Sequence, residues 1–130
     1  MSNPFRGRGI RRATAGLASE PPRLLDDDVT VAEVLKAKGY ATGGFGKWGL
    51  GDEGTTGLPW LQGFDHFYGY LHNTHGTRYY TEFIHRNADK IALRGNYGNW
   101  RKQYGPDLLL DERAQPHVGP EQDLGLGAML

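Results

Sequence analysis

An α/β architecture with a parallel sheet follows from two local signals, a capped helix that runs through one glycine into a strand and a later two-strand hairpin. A helix feeding a strand through so short a joint is half of a βαβ unit. The helix is signalled by Thr30 and Glu33, whose spacing is that of a capping box in which each side chain satisfies the other's orphan N–H. Val29 precedes the cap and is placed to staple onto Val34. Asp26, Asp27 and Asp28 lie at the positive end of the helix dipole, with Lys36 and Lys38 at the negative end. Gly39 supplies the left-handed residue that stops the helix, and Val31, Val34 and Leu35 form its apolar stripe. A helix of about two turns needs packing to persist.

After Gly39, the run Tyr40-Ala41-Thr42-Gly43-Gly44-Phe45 reads as a buried strand weakened by glycine. Further on, Arg78 to Arg86 alternates and Lys90 to Leu93 is short and apolar, so these two runs, with Asn87-Ala88-Asp89 between them, predict a β-hairpin. Trp60, Phe64, Phe67, Tyr68 and Tyr70 form an aromatic cluster in a glycine-rich setting. Packing around the sheet edge is its expected use, and stacking on a sugar or aryl ring is the alternative. Three zones result. Residues 1–23 form an irregular basic arm with five arginines, residues 24–98 hold the helix, strand and hairpin, and residues 99–130 form a loosely structured tail with a short helix near Pro106 to Arg113.

Composition narrows the function. The 15 Lys and Arg balance 15 Asp and Glu, which excludes polyanion binding driven by bulk charge, and no nucleic-acid partner is expected. With 20 glycines and 7 prolines, loops and tight turns must be frequent. Hydrophobic residues make up 38%, a modest core for this length. Having no cysteine, the chain has no disulfide, thiolate metal site or cysteine nucleophile. No apolar run approaches the roughly 20 residues of a bilayer span, and Met1 to Arg12 lacks the apolar core of a secretory signal, so a soluble chain with no membrane partner is expected.

The stretch Gly43-Gly44-Phe45-Gly46-Lys47-Trp48-Gly49-Leu50-Gly51 invites an anion, because glycines leave backbone N–H groups unshielded. It is not a Walker loop: Ala41 and Trp48 stand where glycine and Ser/Thr are needed. Gly44, Gly46 and Gly49 spell G-x-G-x-x-G, but Gly51, Gly54, Gly57 and Pro59 prevent the helix that would hold a pyrophosphate. What remains is Lys47 just past the carboxyl end of a parallel strand, where open α/β sheets place ligands. Its ammonium there is either a point charge for a tetrahedral oxyanion or a surface lysine at a strand end.

Val29 to Gly51, reading VTVAEVLKAKGYATGGFGKWGLG, resembles the second signature of the sulfatases, a helix ending in Gly-Tyr before a strand ending in Gly-Lys-Trp. Gln62-Gly63-Phe64-Asp65-His66-Phe67-Tyr68-Gly69-Tyr70-Leu71, Tyr79-Tyr80 and His85-Arg86-Asn87 resemble later segments of the same family, in the same order. The resemblance implies a partial alkaline-phosphatase-like α/β fold of helix, parallel strand and β-hairpin with irregular termini. It also implies hydrolysis of sulfate esters by a formylglycine nucleophile beside a divalent cation, usually calcium, in the full-length family. Lys47 matches the lysine that holds a sulfate oxygen, whereas Gly49 stands where many members have histidine. The family's metal-binding aspartates have no counterpart here, so no cofactor is expected in this chain. Asp26, Asp27 and Asp28 fit a helix N-terminus instead. Ser2-Asn3-Pro4-Phe5-Arg6 has the skeleton of the nucleophile motif, with Phe5 in place of a small residue and without the apolar-Thr-Gly continuation.

Of the five histidines, His72 and His75 stand at i, i+3 in Leu71-His72-Asn73-Thr74-His75-Gly76, which reads as a polar loop with no acidic partner for a metal. In the resembled family this loop lies near the substrate mouth, which makes His72 and His75 candidates for substrate contact beside Lys47. The expected protein is a sulfatase fragment that carries the sulfate-binding lysine strand, lacks nucleophile and metal ligands, and is inactive by itself. The competing expectation is a non-enzymatic interaction module that uses the aromatic cluster and the exposed sheet edges, through which the chain can also self-associate.

Overall fold

The computed structural model describes residues 23–115 and the backbone of residues 126–129. The basic arm, apart from Arg23, and the Ser2 motif lie outside the described residues. The first helix, α1 (Val31–Ala37), starts from Thr30, whose hydroxyl accepts from Glu33 N at 3.2 Å. The same hydroxyl donates to Gln62 O at 2.6 Å, so the cap also ties the helix to a distant loop. The helix stops where expected. With Gly39 at φ 90°, Gly39 N donates to Lys36 O at 2.9 Å and Tyr40 N to Leu35 O at 3.1 Å, the paired bonds of a Schellman stop.

The face that α1 buries differs from the expected stripe. Ala32 is fully buried, while Val31 and Val34 remain 59% and 49% exposed and the staple residue Val29 is 55% exposed. The reason is steric: a Cβ on Gly63 would lie 2.6 Å from Glu33 N. At so close a backbone approach, alanine's methyl fits beneath the helix and a branched side chain does not.

The expected strand forms as β1 (Thr42–Lys47). It pairs in parallel with β2 (His66–Tyr70), from Gly43 opposite His66 to Lys47 opposite Tyr70. The aromatic segment expected at the sheet edge thus lies inside the sheet. Both faces of β2 are covered, so it reads as a continuous aromatic run without polar alternation, and that hides the strand in the sequence. A single helical turn, α2 (Asn73–Gly76), follows β2, replacing the expected loop around His72 and His75.

The hairpin is formed by β3 (Phe83–Arg86) and β4 (Asp89–Ala92), shorter than expected at both ends. Asp89 pairs with Arg86, leaving only Asn87 and Ala88 in the turn. Asn87 takes the left-handed conformation (φ 51°) that such turns require, and its Oδ1 accepts from Phe67 N at 2.7 Å. The short helix expected near Pro106 to Arg113 forms as α3 (Gly105–Ala114), and the same C-terminal zone also contributes a strand that was not expected, β5 (Leu126–Met129). The sheet order is β4-β3-β2-β1-β5, with β5 parallel to β1 and both contacts of β3 antiparallel.

Two cores result, one on each face of the sheet. Ala32 of α1 packs with Trp48, Phe64 and Phe67 on one side, while Leu108 and Leu109 of α3 cover Tyr68, Tyr70 and Ile84 on the other. Alternation along β2 sends Phe67 to the first core and Tyr68 and Tyr70 to the second. α3 is held in place by Glu112, which receives Arg86 Nε and Nη2 in a fork, each at 2.8 Å.

The entry to β1 is fastened by Asp65. Its Oδ2 accepts from Thr42 N at 3.0 Å and its Oδ1 pairs with Lys36 Nζ at 2.7 Å. Burial pushes this carboxyl up, but the bonds from Lys36 and Thr42 outweigh it and hold it below its ordinary value of 3.8. Asp65→Asn is expected to cost on the order of 1 kcal/mol at pH 7. A depressed carboxylate stabilises above its unfolded pKa, so the cost should disappear as pH falls through the range below 3.8, as read by urea denaturation of both chains across pH.

Candidate functional site

Lys47 ends β1 directly opposite Tyr70, which ends β2, so both lie at the carboxyl rim of the parallel pair. The ladder continues one step beyond: Trp48 N donates to Tyr70 O at 2.8 Å and Gly49 N to Leu71 O at 2.9 Å. This extension delivers the chain to α2 at the rim. There His72 caps the turn, its Nδ1 accepting from Thr74 N at 3.1 Å, which leaves the ring proton on Nε2.

α2 and Lys47 fit against each other through a missing side chain. A Cβ on Gly76 would lie 2.8 Å from Lys47 Cδ and 3.2 Å from Tyr70 Cβ, so the lysine stem lies across the turn. Among the described residues no carboxylate lies within ion-pair distance of that ammonium. Gly49 (φ 73°) is equally constrained, because a Cβ there would meet the Asn73 side chain at 2.5 to 2.8 Å. Asn73 therefore fills the space that a larger residue at position 49 would take. The sequence reading passes over Asn73, since only the formation of α2 brings it back over the lysine strand.

The two candidate histidines have different environments. His72 is exposed at the cap, whereas His75 stands edge-on to Tyr70 (5.2 Å, 90°) and leans on Phe83 (4.3 Å, 30°). Burial pushes the His75 pKa below 6.5, and the nearby His85 and the Arg78 guanidinium push the same way. His75 is thus a neutral aromatic plate at pH 7.

Both histidines line a cleft of about 260 Å³ with Glu53, His85 and Lys90, and Lys47 is not part of that lining. Glu53 Oε1 accepts from His85 Nε2 and from Lys90 Nζ, each at 3.0 Å. These bonds, Lys90's first, hold its carboxyl below the usual range. They also clamp the loop after β1 to the hairpin. The structure thus places Lys47, His72 and His75 along one rim, with His72 and His75 sharing a cleft that Lys47 does not enter.

Calcium, implied for the full-length family, requires six to eight oxygen ligands. Among the described residues no group of three or more Asp, Glu or His is placed to hold a metal. Asp28, within the acidic triplet, uses Oδ2 to accept from Leu25 N at 2.9 Å. The described residues do not fit a calcium site.

These elements define an α/β fold with a mixed sheet, in which Lys47 and Tyr70 end the parallel pair at its carboxyl rim. No protein-family model matches the chain. Over 45 residues it is 58% identical to arylsulfatase A of Homo sapiens, a stretch that covers 33% of this chain and 9% of that protein. That match supports a sulfatase-like relation over the matched stretch. A solved structure described as "Crystal structure of Ps i-CgsB" is similar with a TM-score of 0.53 at 22% identity, over 70% of this chain and 23% of that one, a likeness of fold. The chain thus spans a small part of the length of each.

Since His75 is held neutral while the unfolded ring titrates near 6.5, protons favour the unfolded chain below that value. Stability should therefore fall as pH drops from 6.5 and level off below the folded pKa. His75→Phe, which keeps the ring stack, is expected to flatten this part of the curve. Thermal denaturation between pH 5 and pH 8 checks it, and an unchanged slope in the variant would refute the assignment.

Proposed function

We infer that the chain is a portion of a sulfatase domain, a relative of the sulfuric ester hydrolases, in which Lys47 binds an oxygen of the sulfate group. The supporting observation is the position of Lys47: it ends β1 at the rim of the parallel pair, its stem seated on α2 and its ammonium without an acidic partner among the described residues. The 45-residue likeness to arylsulfatase A supplies the class of chemistry. A lysine ammonium suits the role because it is a compact charge with three donors, able to follow a tetrahedral anion from several directions.

One ammonium at a half-open rim supports weak binding. At about 4 Å and an effective dielectric of about 20 the attraction is about 4 kcal/mol before desolvation. That corresponds to a dissociation constant of about 1 mM at best. Covalent hydrolysis needs a nucleophile and, in this family, a cation, and the described residues offer neither at the rim. We take the described residues as a binding rim, and the chain by itself as inactive in ester hydrolysis. Within a complete domain, Lys47 would hold the ester while other segments supply the attack.

Titration with inorganic sulfate at low ionic strength should shift the amide signals of Lys47, Trp48 and Gly76 with millimolar affinity. Lys47→Met keeps the stem over α2 and removes the charge, and should weaken binding at least about tenfold. Equal binding by the variant would overturn the lysine's role. Incubation with p-nitrophenyl sulfate and calcium should release no product, and turnover by the chain would overturn the inactivity.

A further inference from the structure

The larger cleft, about 640 Å³ between residues 77–83 and the loop of residues 94–103, shares His75 and Phe83 with the smaller one, so both belong to the rim. The outer face of α1 does not. Ala32 is turned to the core, and on the other side of the helix Val31 and Val34 are exposed at i, i+3, with Lys38 continuing their stripe one turn on. Val29 precedes the stripe. Leu61 (59% exposed) borders its N-terminal end, because Thr30 Oγ1 donates to Gln62 O and Gly63 closely approaches Glu33, and Tyr40 (42% exposed) follows its C-terminal end. We propose that this face is the contact between two copies of the chain, paired across a two-fold axis with their α1 helices antiparallel.

Apolar residues scattered singly on a surface are ordinary, but Val29, Val31, Val34, Tyr40 and Leu61 surround one short helix and form a patch. The helix itself needs more packing than it has. Of its seven residues only Ala32 is buried, and a helix of two turns owes its persistence to the faces it buries. Covering Val31 and Val34 with a second helix supplies the missing contact, and β-branched side chains at i, i+3 leave a low ridge that lets two such helices approach closely.

Charge selects the occupant. Asp26, before the stripe, and Lys38, at its end, are exposed, and neither has an ion-pair partner among the described residues, whereas Lys36 is committed to Asp65. The face is therefore acidic at one end and basic at the other. Such a surface complements itself when turned end for end: the two-fold operation sets Asp26 of each copy beside Lys38 of the other, and Tyr40 of each towards Leu61 of the other. Parallel helices would instead oppose like charges at both ends. A partner of one charge would satisfy one end and oppose the other. An anionic lipid surface would meet Asp26 directly, and helices that lie on membranes carry Lys and Arg along their polar face rather than an acidic lead-in. With 15 basic and 15 acidic residues, the chain has no net repulsion to overcome in meeting itself. The outer strand β4 is a poorer contact, since it is four residues long and opens with Asp89 and Lys90, charges that discourage pairing with another strand. Five apolar side chains a copy fall below the roughly 1,200 Å² of stable interfaces, so the dimer is weak, with a dissociation constant on the order of 100 μM.

The test is sedimentation velocity of the full chain from about 5 to 500 μM at low salt, with amide shifts to locate the contact. The mass should rise from one chain toward two across that range, and the concentration-dependent shifts should fall on residues 26–40 and 59–62. Val34→Lys places a charge in the middle of the face at a position already open to solvent, so the fold is kept and association should weaken at least about tenfold. Asp26→Lys and Lys38→Glu should each weaken it about threefold. The double variant Asp26→Lys/Lys38→Glu remakes both ion pairs with their signs exchanged and should regain the parent affinity. Lys38→Glu/Asp107→Lys has the same net charge but puts the new lysine on α3, and should stay weak. A single-chain mass at every concentration, as when residues 1–22 of the same chain cover the face, would overturn the proposal. So would growth past two copies, association that Val34→Lys leaves unchanged, shifts centred on β4, or equal recovery in the two double variants.

Discussion

Everything at the rim depends on the parallel ladder between β1 and β2. It sets Lys47 opposite Tyr70 and continues through Trp48 and Gly49 to Leu71. That continuation fixes where α2 emerges and brings Gly76 against the lysine stem. A slip of one residue would turn Lys47 to the other face of the sheet and point its ammonium away from the turn that supports it. The electrostatics of the rim is therefore a consequence of register before it is a consequence of charge.

A chain with a modest apolar share holds this register by tying backbone to side-chain amides and carboxylates. Asn87 binds the hairpin turn to β2, Asp65 binds the start of β1 to its neighbour, and Gln62 Nε2 donates to Thr56 O at 2.8 Å within the long connection from β1 to β2. Each side chain satisfies backbone groups that would otherwise be costly to bury. The many glycines serve the same economy of space, since at Gly63 and Gly76 a side chain would force apart segments that now touch.

His75 lies where the two clefts meet, and its neutrality matters there. Arg78, His85 and Lys90 all stand near enough to act on its titration. A charged imidazolium at that point would face the Arg78 guanidinium and the Lys90 ammonium, both of its own sign. Edge-on to Tyr70 and leaning on Phe83, the uncharged ring instead forms a common wall between the Glu53 clamp and the larger cleft.

By itself the sequence determined what short-range chemistry determines. The Thr30 cap, the Gly39 stop, the strand that follows it, which runs on through Lys47 rather than stopping before it, and the tight turn at Asn87 all rest on residues within a few positions of one another. The helix near Pro106 was visible for the same reason, although its docking through Glu112 onto Arg86 was not. Tertiary contacts decided the rest. Only the sheet could show that the aromatic run His66–Tyr70 is an inner strand, because burial on both faces erases the polar alternation that marks a strand. Only backbone proximity at Gly63 could show that α1 turns Ala32 inward and leaves Val31 and Val34 exposed. The larger cleft was the least legible feature, for its walls come from segments on either side of the hairpin and meet through the buried amide of Asn96, a contact that no local spacing announces.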